Sequence, residues 1–448
     1  MRAATAKPAI SFSGISLLAL GGGLVLLALI LLARGGGGGS HVPTTSGDLS
    51  LADPYSATSE NVAFWEQRVQ ADPADFTALN RLAMAYIQRG RETGDVSNYS
   101  RAQAAVDASL TSLPGDNYTG YALKAYLQNV QHDFSASLET AEHAAALDPS
   151  DAFAQLVIGD NLLALGRYDE AFETFNRLAN ESPSLSTFSR LAQSYEIRGD
   201  LRNAEGAWKN ALELDGGQNA ETTAWARTQY ATFLFNQGRI SDAGVHFSAA
   251  LEAFPGYIHA LAGQGNVAAA NGDYDEAIGL YTDVTQRQPL PQYVSQLGDI
   301  YAAAGMQSEA DRQYELIGAI EQLLQANGIN VDLQMALFFA DHDLQPDEAV
   351  RQAEGALAQQ PGSIYTADAL GWALHKAGRS AEALPYAETA LAQDTQDASL
   401  FYHMGMIQKA LGNDGAARDA LRQALAINPY FSPLQAPIAQ QALVELGG

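Results

Sequence analysis

The sequence predicts an all-α fold: a solenoid of helical hairpins preceded by one transmembrane helix. Two ladders of helix-breaking residues and one apolar run predict it. Gly166, Gly199, Gly238, Gly272, Gly305, Gly378 and Gly412 recur 33 to 39 residues apart, with one double step between 305 and 378. Pro149, Pro183, Pro255, Pro289, Pro361 and Pro429 keep the same beat, at 34 residues or small multiples near it. A period near 34 marks a two-helix unit that cannot bury its apolar face alone, so units stack into one continuous core. Residues 8–33 carry no charge and are long enough to span a bilayer. A repeat array of this kind is first of all a binding surface.

After a short tail at 1–7, the apolar run 8–33 reads as a signal anchor. A cleaved leader would have a shorter apolar region and a small-residue cleavage site; cleavage near Ala33 would instead release a soluble exported protein. Arg2 and Lys7 precede the run and only Arg34 follows it before Arg68. The positive-inside rule then places the repeats on the extracytoplasmic side. Residues 34–59, rich in Gly, Ser and Thr, form a flexible linker reaching roughly 25–30 Å. Residues 60–74 form a capping helix through Val62, Trp65 and Val69, stopped by Pro73. About ten units follow over 76–429, and 430–448 supplies a second cap through Ile438, Ala442, Leu443 and Leu446.

One unit shows how the pattern works. In 398–429, Leu400, Phe401, Met404, Ile407 and Leu411 make an apolar stripe at helical spacing. Gly412 and Asn413 end that helix. Ala417, Leu421, Ala424 and Leu425 form the second stripe, and Pro429 blocks extension because it lacks a donor N–H. Small residues at Gly405, Ala417 and Ala424 let the helices approach closely. The pattern resembles the tetratricopeptide repeat: Phe401, Met404, Gly405, Gly412, Ala417, Leu421, Ala424 and Pro429 fit, with Gln408 where the family usually has Tyr. The unit at 291–317 matches through Val294, Leu297, Gly298, Tyr301, Gly305, Ala310 and Tyr314. The unit at 185–212 matches through Phe188, Leu191, Ala192, Tyr195, Gly199, Ala204, Trp208 and Ala211. The unit at 118–149 is degenerate, with Lys124 and Gln128 at usually apolar places. The unit at 333–361 lacks its turn glycine and follows a helix running to about Ala326. The resemblance implies a right-handed superhelix. In the first unit, the insertion Arg91–Ser100 is either a protruding loop or a longer helix pair, and the low cost of lengthening an exposed turn favours the second.

Composition excludes several function classes. The chain has no cysteine, so disulfides, thiolate metal sites and cysteine nucleophiles are absent. Its eight histidines form no metal-ligand spacing. No nucleophile elbow occurs, and Gly263 and Gly265 fall inside a helix, where they serve close packing. The chain is expected not to be an enzyme and to carry no cofactor. Net charge is -26. All 51 acidic residues and 22 of the 25 basic ones lie after Arg34, so that part carries -29. Such a field repels nucleic acid and favours basic protein or peptide partners, or simply keeps helix faces solvated.

In the resembling family, the first helices of successive units line a concave groove. Matching offsets point inward at Tyr126, Asp160, Trp225, Phe235 and Asp299. They also point inward at Tyr365, Asp368, Trp372, His375 and Lys376, and at Tyr402, Met406 and Lys409. Aromatics with a few polar groups suit peptide anchoring, although Trp372 and Tyr402 equally suit stacking within the superhelix. The family's Lys–Asn clamp for a C-terminal carboxylate is missing. The resemblance implies a non-enzymatic, membrane-anchored scaffold for protein partners in cell-envelope assembly, as in cytochrome c maturation, secretion or pilus assembly. The alternative is a carbohydrate-binding component of surface polysaccharide export. A cytoplasmic regulatory role would call for a C-terminal cysteine–metal module, which zero cysteines oppose.

Overall fold

The computed structural model describes residues 56–95, 97–217, 219–326 and 331–447. The anchor and most of the linker, residues 1–55, lie outside the described residues. Among the described residues there are 22 helices and no strand, and none of the helices is long and apolar enough to cross a membrane.

Twenty of the helices form ten antiparallel pairs. Units 1 to 5 are Phe76–Thr93 with Ser97–Ser112, Tyr118–Val130 with Phe134–Leu147, Ala152–Ala164 with Tyr168–Glu181, Leu185–Ile197 with Leu201–Glu213, and Ala220–Asn236 with Ile240–Ala253. Units 6 to 8 are Ile258–Ala270 with Tyr274–Arg287, Pro291–Ala303 with Gln307–Ala326, and Asp332–Asp341 with Pro346–Gln359. Units 9 and 10 are Ile364–Lys376 with Ser380–Ala390, and Ala398–Ala410 with Asp414–Ile427. Ser56–Ala71 and Gln435–Glu445 pack at the two ends.

Sequence chemistry accounts for the boundaries. Part of the acid excess is spent on helix starts: Asp75, Asp133, Asp151, Asp200, Asp273 and Asp397 each accept a backbone N–H of the first helical turn. The seven ladder glycines all have positive φ, between 67° and 80°, which an L side chain adopts only under strain. In unit 8, where the glycine is missing, Asp343 and Gln345 take the left-handed conformation instead, at φ 54° and 41°. Within and between the pairs, small residues face large ones. A methyl added at Gly263 would stand 2.2 Å from the Phe247 ring, and one at Gly265 would stand 2.6 Å from Tyr281. Seven of the ten residues of the insertion in unit 1 are helical, because the first helix runs on to Thr93 and the second starts at Ser97.

The superhelix also closes on itself. The Ile364 backbone N–H donates to the Tyr168 hydroxyl over 2.9 Å, 196 residues apart. The Thr395 hydroxyl donates to the Ile197 carbonyl, 198 residues apart. The Asn428 amide donates to the Phe235 carbonyl over 2.9 Å, 193 residues apart. A constant separation just under six periods means that the turns of units 3, 4 and 5 meet the segments that follow units 8, 9 and 10. Ile364, Ala390 and Leu400 accordingly share a core with Leu156, Tyr168 and Ile197.

Candidate functional site

The inward faces of the first helices build two different interiors. In units 1 to 5 the interior is filled by paired charges. Arg91, delivered by the extended helix of unit 1, places Nη2 at 2.9 and 2.6 Å from the two carboxylate oxygens of Glu221 in unit 5. Arg190 places Nε at 2.8 and 3.0 Å from the Asp160 oxygens, and its Nη1 reaches the Ser186 carbonyl. All four side chains are at most 1% exposed. Burial lifts the Asp160 carboxyl to about 6, against the opposing pull of Arg190. Tyr126 lies in the field of both pairs, and burial raises its phenol to about 12.

Units 4, 5 and 7 to 10 instead surround a cavity of about 440 Å³. Its carboxylates are Glu196, Asp299, Asp341, Asp368 and Asp397, with His342 and His403 beside them; no Lys or Arg lines it. Two of these acids have a basic neighbour. Asp368 meets His403 Nδ1 at 2.9 Å through both oxygens. Asp299 meets His342 Nε2 at 2.7 Å and accepts the Tyr314 hydroxyl at 2.8 Å. For both histidines burial pulls the pKa down, but the facing aspartate outweighs it and the net shift is upward.

The other three acids are held by neutral donors. Glu196 accepts the Trp208 indole N–H at 2.6 Å. It keeps accessible surface toward the hollow yet is surrounded by protein, and burial lifts its carboxyl to about 7. Asp341 accepts the Trp372 indole N–H and the Gln435 side-chain amide, each at 2.7 Å. Asp397 caps unit 10 through the Ser399 N–H at 2.8 Å. Burial raises both aspartates. Amides fill much of the remaining wall, among them Gln193, Gln229, Gln292, Gln296, Gln334 and Gln396, and Phe233, Phe338, Tyr365 and Phe431 supply aromatic surface. A space with this lining can solvate positive charge or pair with hydrogen-bonding groups. Among the described residues no cluster of three or more ligating side chains could hold a metal ion.

A family model described as Tetratricopeptide repeat matches residues 123–186, 230–291, 262–310 and 369–430. The chain carries tetratricopeptide repeats. No curated protein matches it in sequence. Among solved structures it is similar to the crystal structure of an APC/C hetero-tetramer of Cut9 and Hcn1, at 15% identity and TM-score 0.37, covering 87% of this chain and 93% of that one. A tetratricopeptide repeat protein from Parabacteroides merdae matches at 16% identity and TM-score 0.35, over 62% of this chain and 100% of that one. A human IFIT1 dimer with PPP-AAAA matches at 13% identity and TM-score 0.44, over 84% and 95%. Likenesses at this level say nothing about function.

Of the inward residues expected in this tetratricopeptide array, Tyr365, Asp368 and Asp299 line the cavity. Tyr126 and Asp160 belong to the charged interior of units 1 to 5. Trp372, 2% exposed, is stacked between His403 at 4.2 Å and His375 at 5.1 Å, and positions Asp341 from behind the cavity wall. Tyr402 is equally buried, against Trp372 and Phe431. His375 bonds Ser380, and burial with the nearby Lys376 lowers it to about 4. Lys376 pairs with Asp343 at 2.6 Å, and Lys409 pairs with Glu445 of the terminal helix at 2.5 Å. Met406 packs in the C-terminal core. Trp225 is 1% exposed in the core of units 4 to 6, and Phe235 packs against that core. Sequence offsets missed Gln193, Glu196, Asp341, Asp397, His403 and Gln435. Gln193 and Glu196 share one helix face, but nothing local shows that this face meets unit 10.

Proposed function

We propose that this chain is a non-catalytic scaffold that holds protein partners with basic segments, tethered to a membrane by residues 8–33. The observation that carries the reading is the distribution of charge on a closed repeat superhelix. Acidic residues outnumber basic ones two to one over the chain, and the cavity between units 4, 5 and 7 to 10 has acids and no Lys or Arg in its wall. A field of this sign concentrates cationic surfaces and speeds their encounter. Repeat arrays bind through extended surfaces assembled from many units, and ten units joined end to end with turn-to-turn contacts make such a surface rigid. In this reading the linker keeps the array near the membrane on the extracytoplasmic side, as a component of envelope assembly.

Crosslinking of the full-length protein in its native membrane tests the reading. The expected result is a discrete set of basic proteins whose recovery falls steeply as salt is raised. Capture that is indifferent to salt, or confined to acidic proteins, would overturn it. Protease added to sealed cells separately tests sidedness, since an extracytoplasmic array is cut from outside. A second reading, carbohydrate binding in polysaccharide export, is favoured by one observation: the amide and aromatic lining of the cavity also suits sugar hydroxyls and ring faces.

A further inference from the structure

We infer that the contact between unit 4 and units 9 and 10 builds a binding site for an organic cation, a primary ammonium or guanidinium group, inside the cavity. The site exists only where the superhelix closes. Gln193 and Glu196 stand one turn apart on the last part of Leu185–Ile197. The Thr395 hydroxyl bonds the Ile197 carbonyl at the end of the same helix, which brings the start of unit 10, with Asp397, to the cavity that Glu196 lines. Tyr365 of unit 9 completes the group, with its ring in the cavity wall and its hydroxyl in the fields of Asp397, Glu196 and Asp368.

Two independent observations point to a ligand. The first is a charge imbalance in a space large enough to hold one. Glu196 and Asp397 make no salt bridge, in contrast to Asp160 and Glu221, and a buried carboxylate without a cation is costly. The second is an unused acceptor: Gln193 is 5% exposed and lines the cavity, and its buried carbonyl oxygen has no hydrogen-bond partner. A carboxylate, an amide oxygen and a phenol around a hollow are the acceptors that N–H donors of a cation require. Asp368 is not free to serve in the same way, because His403 already holds it.

The cation can be a free small molecule or the side chain of a partner's Lys or Arg. Only the second source depends on the scaffold reading above. Glu196 accepts the Trp208 indole N–H and acts on the Tyr365 hydroxyl, which also lies in the fields of Asp397 and Asp368; Asp397 in turn lies in the fields of Asp368 and His403. Because burial holds Glu196 near half-protonated at neutral pH, a bound cation would expel that proton.

The test is calorimetric titration of the full-length protein in detergent, at pH 6 and pH 8, with four probes: spermidine, arginine, an oligopeptide rich in Lys and Arg, and a neutral maltooligosaccharide. The same titrations are run on Glu196→Gln and on Glu196→Gln/Asp397→Asn, whose fold is checked by circular dichroism. Binding of a cationic probe is expected to tighten several-fold from pH 6 to pH 8. It is expected to release protons, seen as heats that depend on the buffer. Glu196→Gln is expected to weaken it by roughly tenfold or more and to abolish most of the proton release. Binding of spermidine or arginine identifies a small-molecule site, and binding of the peptide alone identifies a partner's side chain; both support the inference. No binding of any cationic probe overturns it, as does cation binding unchanged in the double variant. Binding of the oligosaccharide alone also overturns it, in favour of the carbohydrate reading. Failure here leaves the scaffold reading intact, because the partners captured by crosslinking can dock elsewhere on the array.

Discussion

The two interiors of this superhelix are made from the same helix faces and reach opposite solutions to buried acid. In units 1 to 5, Glu221 and Asp160 each receive an arginine, and all four side chains are buried. Around the cavity, Glu196, Asp341 and Asp397 receive only indole, amide or backbone N–H groups, and a hollow remains. Burying a carboxylate carries a desolvation penalty that a neutral donor only partly offsets. Paired acids therefore read as structural and unpaired acids around a hollow as a site. The comparison separates the two roles by what stands opposite each acid, not by residue type or depth.

The largest effect is expected from breaking the filled interior. Glu221→Ala leaves Arg91 charged and buried, and should cost about 3–5 kcal/mol, read as a drop in unfolding midpoint centred on units 1 to 5. Replacing both partners with apolar residues of similar volume should recover most of that loss. If the single and double variants unfolded alike, the pair would not be what stabilises this half.

Next comes the closure that forms the cavity. Gly166 and Gly272 have nearly the same backbone, at φ 76° and 80°. A methyl at Gly166 would stand 2.0 Å from the Gly362 carbonyl across the closure, whereas one at Gly272 meets nothing within 4 Å. Gly272→Ala should cost on the order of 1 kcal/mol for conformation alone. Gly166→Ala should cost clearly more and expand the particle in small-angle scattering. Equal costs would show that the contact between superhelical turns contributes little.

A smaller, pH-dependent effect is expected at Glu196. Its folded value of about 7 lies above the ordinary 4.5. Below pH 4.5 both folded and unfolded forms are protonated and nothing is lost. As pH rises toward 7 the unfolded chain ionises first, so stability falls and stays lower above 7. Glu196→Gln should therefore raise stability at pH 8 by on the order of 1–3 kcal/mol, with no gain at pH 4. A gain at acid pH would contradict the assignment. The smallest effect belongs to Lys409→Met, which removes a half-exposed pair with Glu445. It should leave the melting temperature nearly unchanged, as exposed pairs usually do.

Much of the architecture was legible because it is local. Gly412 and its counterparts mark left-handed turns, the long helix of unit 7 runs to Ala326, and Gly263 and Gly265 serve close packing, all readable from spacing and side-chain size, whereas their partners Phe247 and Tyr281 came from the structure. Tyr365, Asp368 and Asp299 were reachable by the same offsets. Asp397 was not, because in the sequence it is only the capping acid of unit 10, and Arg91 reads merely as part of an insertion.

By itself the sequence determined the repeat period, the helix pairs, the turns, the acidic balance and the charge-free run at 8–33. These depend on contacts within one unit or on composition. Tertiary structure alone decided that Arg91 meets Glu221 across 130 residues and that Ile197 meets Thr395 across 198. The physical reason is accumulation: small rotations between successive units add up over five or six of them, and no local pattern records the sum. Whether a given acid ends up beside an arginine or facing a hollow is set by that sum.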